Sequence, residues 1–155
     1  GKYGPSTPGL PEPSQFPAPT DDVVPWVCPF GDGHFAASGV EGWVYFYEWQ
    51  KGQLAGKFRA HPKSVNRILA VPERSLLFTA STDATVRLWR AGGEDLPGCG
   101  ASGSCLAPAP DLTFEGHRMS VSALDSVGDA EQPTLFTGSR DCTVRTWDVA
   151  TGKEL

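Results

Sequence analysis

The sequence predicts an all-β fold built by repeating one four-stranded antiparallel unit, and three observations predict it. The first is an internal repeat. Leu77-Phe-Thr-Ala-Ser-Thr-Asp-Ala-Thr-Val-Arg-Leu-Trp89 aligns without gaps to Leu135-Phe-Thr-Gly-Ser-Arg-Asp-Cys-Thr-Val-Arg-Thr-Trp147, with nine of thirteen positions identical. Such self-similarity marks a repeat architecture. The second is a histidine upstream of each copy, followed four residues later by valine: His61 with Val65, and His117 with Val121. The third is composition. With 18 glycines and 14 prolines among 155 residues, the chain suits short strands joined by many turns better than helices.

The elements follow in order. Residues 1–22 hold six prolines among Gly, Ser and Thr. Such a segment buries too little apolar surface to offset its ordering entropy, and it reads as a disordered linker. Its PxxP-like spacing would suit an SH3-type groove, but only Lys2 supplies basic character, so a spacer is the better account. A first, weaker copy of the repeat is Phe35-Ala-Ala-Ser-Gly-Val-Glu-Gly-Trp-Val-Tyr-Phe-Tyr47, with Glu41 in the aspartate position and Tyr47 in the tryptophan position.

In the second and third copies, Thr85–Trp89 and Thr143–Trp147 alternate. Val86 and Leu88 share one face, and Arg87 and Trp89 share the other. The six residues before each turn form the partner strand. Asp83 and Asp141 fall in the turn between, where aspartate tolerates the backbone and bonds it locally. Val65–Val71 and Val121–Val127 supply another strand per unit, and Gly56–Ala60 and Asp111–Glu115 the outer one. Four short strands per repeat of about 40 residues describe a propeller blade.

The motifs are those of a known family. Gly116-His117 and Trp147-Asp148 make the units similar to WD40 repeats over roughly residues 23–155. The second copy departs from the pattern with Ala60 before His61 and Arg90 after Trp89, and the first has no equivalent histidine. The resemblance implies an incomplete propeller of about three four-stranded antiparallel blades. A degenerate blade spans 23–60, a second blade 61–116 with a loop insertion at 91–110, and a third 117–155. The third stops where its last strand should begin, so two open, apolar sheet faces are expected. They would be closed by further blades from a longer chain or by self-association. Gly1 in place of methionine fits a piece of a longer protein.

The resemblance also implies a buried hydrogen-bond chain in each complete blade: His61, Thr79, Asp83 and Trp89, then His117, Thr137, Asp141 and Trp147. An indole only donates, a hydroxyl does both, an imidazole relays and a carboxylate accepts. The first blade has Ala37 and Tyr47 at these places, so Trp43, Tyr45, Phe46 and Tyr47 are expected to hold it by aromatic packing.

For function, the resemblance implies a non-enzymatic scaffold that binds other proteins or peptides on its loops. Lys63, Thr82, Arg118, Met119 and Arg140 occupy loops that, in the family, face the docking surface. Exposed Arg and Met are common at interfaces. Two other readings compete. Lys57, Arg59, His61, Lys63 and Arg67 form a basic run that would suit phosphate, an acidic ligand or nucleic acid. The net charge of −5 argues against nucleic acid, whose affinity rests on clustered Lys and Arg. A hydrolase using one Thr/His/Asp set is the other alternative, and the recurrence of the set in two units favours a structural role.

His34 reads as a lone exposed loop residue without metal partners, and no cofactor motif is present: Gly98–Ser104 lacks the Lys-Ser/Thr ending of a P-loop. Four cysteines at irregular spacing give neither a disulfide framework nor a zinc site. Cys99 and Cys105 are taken as thiols in a flexible spacer on the side away from the docking surface. The longest apolar run, Val23–Phe30, has eight residues and two prolines, short of the roughly 18 a membrane helix needs. An intracellular, cytoplasmic setting is expected, with the nucleus left open.

Overall fold

The structure is a computed structural model, and it describes residues 21–90, 96–99, 104–105, 108–128 and 133–155. Of the linker expected at 1–22, residues 1–20 lie outside the described residues, and Asp22 is not free but bonded to Tyr45 and Glu41 of the first blade. No α-helix occurs among the described residues; a 3-10 turn at Pro72–Arg74 interrupts an otherwise all-β chain.

Among the described residues, twelve strands form three sheets. The first blade runs β1 (Val27–Phe30), β2 (His34–Ser38), β3 (Trp43–Glu48) and β4 (Gln53–Arg59). The second runs β5 (Val65–Val71), β6 (Leu76–Ser81), β7 (Val86–Arg90) and β9 (Leu112–Phe114). The third has β10 (Val121–Val127), β11 (Thr134–Ser139) and β12 (Val144–Asp148). Among these eleven strands, order within each blade follows the sequence and pairing is antiparallel. The third blade's outer strand is only begun, by an antiparallel bridge between Trp147 and Glu154.

The alternation read from the sequence decides how the blades pack. Val44 and Phe46 of the first blade face Val65, Ile68, Leu77 and Trp89 of the second. Phe78, Val86, Leu88 and Phe114 of the second face Val121, Leu124, Leu135 and Trp147 of the third. Each seam centres on a tryptophan held edge-on by a phenylalanine: Phe58 to Trp89 at 4.8 Å and Phe114 to Trp147 at 5.8 Å. Rings gain from this edge-to-face arrangement beyond the area they bury.

Three expectations need correction. In the segment between the second blade's third and fourth strands, the described residues 96–99 and 104–105 do not form a free spacer, and the rest of the expected insertion lies outside the described residues. Leu96 and Cys99 pack into the seam between the first two blades, and β8 (Ser104–Cys105) pairs in parallel with Lys57 and Phe58 of β4, giving the first blade a fifth strand. Second, the outward face of the first blade is not open. Ala37, Tyr45 and Tyr47 are buried there, while Phe46 alone of the predicted aromatic set turns into the seam. The face of the third blade is open as expected, with Val127 and Val144 58% and 76% exposed. Third, His34 begins β2 opposite Glu48 and is half-buried rather than free in a loop, because β2 starts directly after the turn through Gly31 and Gly33.

Candidate functional site

Both complete blades carry the same buried relay. In the second, β7 brings the Trp89 indole to donate from Nε1 to Thr79 Oγ1 on β6 (3.0 Å). Thr79 Oγ1 lies 2.7 Å from His61 Nε2, and His61 Nδ1 lies 2.9 Å from Asp83 Oδ2. In the third, the corresponding distances are 2.9 Å from Trp147 to Thr137, 2.7 Å from Thr137 to His117 and 3.0 Å from His117 to Asp141. The partners assign one tautomer. A carboxylate can only accept, so Nδ1 carries the proton, Nε2 accepts from the threonine hydroxyl, and that hydroxyl accepts from the indole. Every polar group then has a partner, as burial requires.

Several members of this network are not among the residues singled out from sequence. Thr85 and Thr143 donate to the second carboxylate oxygen of Asp83 and Asp141 at 2.6 Å through Oγ1, and at 2.9 Å through their backbone N–H. Ser81 and Ser139 accept the backbone N–H of the same aspartates, and the Arg118 N–H donates to Asp141. The signal was present as Ser-x-Asp-x-Thr in both copies. Ala84 and Cys142 sit between aspartate and threonine at φ +72° and +66°, so the turn forces an L residue into left-handed backbone.

These bonds set the carboxylates. Burial of Asp83 opposes its ionisation, but bonds from His61 and Thr85 outweigh that and hold its carboxyl at about 2. Asp141 is lowered further, chiefly by Thr143 and against partial burial, with help from the Arg118 N–H and His117.

The first blade solves the same problem differently. The Tyr45 hydroxyl donates to Asp22 Oδ2 at 2.8 Å, and the Glu41 N–H donates to Asp22 Oδ1. Asp22 thus ties the chain entering the blade to the turn between β2 and β3. Gly39 makes room for it: a Cβ there would fall 2.0 Å from the Asp22 carboxylate.

The relays do not form an open catalytic site. Thr79 and Thr137 are 0% and 1% exposed, and each hydroxyl is already engaged by an indole and an imidazole, so neither can approach a substrate. Among the described residues no three His, Cys, Asp or Glu side chains converge as metal ligands.

Lys63, Thr82, Arg118, Met119 and Arg140 are all exposed and lie at one end of the sheets, on the turns and entry loops that the relays anchor. The backbone ties them together: Thr82 N–H to Ser64 O (3.0 Å) and Arg140 N–H to Ser120 O (2.9 Å). Asn66 joins the second blade to the third here, donating to Ser120 Oγ and Val121 O and accepting from Thr82 Oγ1. By contrast, the basic run 57–67 does not gather into one patch. Lys57 stands over the Trp43 ring, Arg59 donates to Pro62 O, His61 is buried, and Arg67 stacks on Trp26 at 3.7 Å. Arg67 lines a cavity of about 420 Å³ on the inner strands with Cys28, Leu124 and Asp125. Burial there pushes the Cys28 thiol up to about 11, so it stays protonated and unreactive.

A family model for the "WD domain, G-beta repeat" matches residues 52–90 and 108–148, more than half of the chain. This chain belongs to the WD40 family. The stretch between the two matched repeats is the insertion that bears β8. A CCR4-associated factor 4 homolog of Candida glabrata is 30% identical over 76% of the chain and 19% of its own length. A ribosome biogenesis protein WDR12 homolog of Drosophila persimilis is 28% identical over 83% of the chain and 32% of its own length. The chain therefore spans less than a third of either relative. The crystal structure of the computationally designed Ika4 protein superposes with a TM-score of 0.67 at 18% identity, covering 88% of this chain and 72% of that one, a likeness of fold alone. No helix among the described residues is long and apolar enough to cross a membrane.

Proposed function

We propose that this WD40 chain is a non-catalytic scaffold that holds a partner protein or peptide on the end carrying Lys63, Thr82, Arg118, Met119 and Arg140. The observation that supports it most is the commitment of the chemistry. The relay carboxylates are consumed internally, leaving exposed cationic and thioether side chains on turns that two buried networks hold still. Arg118 and Arg140 have no ion pair among the described residues. A rigid, partly basic surface with an exposed methionine suits an acidic or mixed peptide segment better than the dispersed basic run suits nucleic acid. That the curated relatives include proteins with ribosome biogenesis and coatomer subunit in their names fits an intracellular, cytoplasmic scaffold. The open face of the third blade is read as the seat of a further blade.

The test is charge reversal. Arg118→Glu with Arg140→Glu should abolish partner capture in an affinity pull-down while the circular dichroism spectrum stays unchanged. Retained capture by the folded double variant removes this surface from consideration.

A further inference from the structure

We infer that Arg67 and Trp26 form a receptor for a single carboxylate, the acidic side chain of a peptide held on the neighbouring docking surface. The identity of the partner rests on that docking reading; the chemistry of the receptor does not. The Arg67 guanidinium lies over the Trp26 ring at 3.7 Å. A stacked guanidinium keeps its N–H groups at its edge, where two of them can meet a carboxylate side by side. Arg67 is half-buried, yet among the described residues it has neither a hydrogen bond nor an ion pair. Both members are held from behind. The Trp26 carbonyl accepts the Ser38 N–H at 2.9 Å, which ties the tryptophan to the end of β2. Arg67 follows an irregularity in the pairing of β5 with β6, between Val65 and Arg67, and such bulges re-aim side chains.

The arginine is not part of the blade's framework. The third blade has the same irregularity, between Val121 and Ala123, and places Ala123 where the second places Arg67. The relay residues, by contrast, recur in both blades. A half-buried cation carries a desolvation cost, and no ion pair within the blade offsets this one. Beside it lies the cavity of about 420 Å³, large enough for a side chain, with Trp26, Ile68 and Leu124 as apolar walls for its methylenes. Asp125 of β10 lines the same cavity without pairing to Arg67. That like charge disfavours a doubly charged phosphate more than a singly charged carboxylate. Asn66, next to Arg67 in the chain, is bonded to Thr82 and Ser120 of the docking end, so the receptor adjoins that surface.

The probe is the capped tripeptide N-acetyl-Gly-Glu-Gly-amide, whose side-chain carboxylate is its sole charge, with the glutamine counterpart as control. Each is titrated into the full chain while the Trp26 indole N–H is followed in proton–nitrogen spectra. The expected result is a saturating shift with the glutamate peptide, about tenfold tighter than with the glutamine peptide and about tenfold weaker in Arg67→Gln. Lys51→Gln, an equal loss of charge in the turn between β3 and β4, should leave the titration unaltered. A silent Trp26, equal binding of the two peptides, or equal losses in Arg67→Gln and Lys51→Gln overturns the receptor. The comparison of the two peptides on the parent chain decides the matter even if Arg67→Gln does not fold. The two readings fail separately. Capture lost by the Arg118 and Arg140 double variant with a silent Trp26 strikes the receptor alone, and retained capture with a responsive Trp26 strikes the docking surface and leaves the carboxylate receptor standing.

Discussion

Thr79 and Thr137 each stand between an indole and an imidazole, and that position decides what substitution at the neighbouring histidine does. His61→Ala leaves the Thr79 hydroxyl and the Asp83 carboxylate without their partner inside a closed network. The expected loss is about 2–4 kcal/mol of unfolding free energy, measured by urea denaturation. A catalytic histidine would instead give a folded protein lacking an activity. The carboxylates add a pH signature. Asp83 ionises more readily folded than unfolded, so its contribution is complete above the ordinary carboxyl value of 3.8 and is lost as pH falls toward about 2. Asp141 shifts in the same direction. Asp83→Asn should therefore flatten the stability-against-pH curve below 3.8, and an unchanged curve would deny the pairing with His61. The four relay positions were legible because they recur in one frame. Thr85 and Thr143 recur as faithfully, yet a threonine opening a strand reads as β-propensity, and its bond to the aspartate two residues back shows only in coordinates. Asp22 recurs nowhere, so no comparison within the chain could reveal it.

At the scale of elements, the turns between the second and third strands of each blade need left-handed backbone at one place. Gly42 fills it in the first blade at φ +94°, Ala84 in the second and Cys142 in the third. Cys142→Gly should therefore stabilise the protein by roughly 0.5–1 kcal/mol, since the relief of a Cβ in that region outweighs the added freedom of the unfolded chain. Gly42→Ala should do the reverse and more. Besides the backbone strain, its Cβ would fall 2.0 Å from the His61 carbonyl oxygen, so the entry to the second blade must shift. Thermal melts of the two variants moving in the same direction would contradict the account. The paired strands were readable from alternation, to within a few residues at their ends. β8 was not: a two-residue Ser-Cys strand beside glycines has no period, and its pairing depends on a strand about 47 positions earlier.

For the molecule as a whole, the seams carry the fold, and the third blade shows a face built like a seam without its other half. Where the second blade presents Phe78, Ala80, Val86 and Leu88, the third presents Phe136, Gly138, Val144 and Thr146 at the same register positions. The first set is buried; Val144 is 76% exposed. Val144→Lys should lower self-association or binding of a hydrophobic dye by this chain without loss of secondary structure, because the exposed apolar face is the sticky one. Equal association of the two proteins would place the contact elsewhere. The open third face followed from counting strands. The buried outer face of the first blade did not, because aromatic packing expected of Tyr45 and Tyr47 does not say which face they close.

Two successive blades enclose the same directed chain from tryptophan through threonine and histidine to aspartate. Long-range proton–nitrogen spectra of the imidazoles test it most directly. His61 and His117 should both show a slowly exchanging proton on Nδ1 and a bare Nε2. Rings protonated on Nε2, or exchanging freely with water, would contradict it.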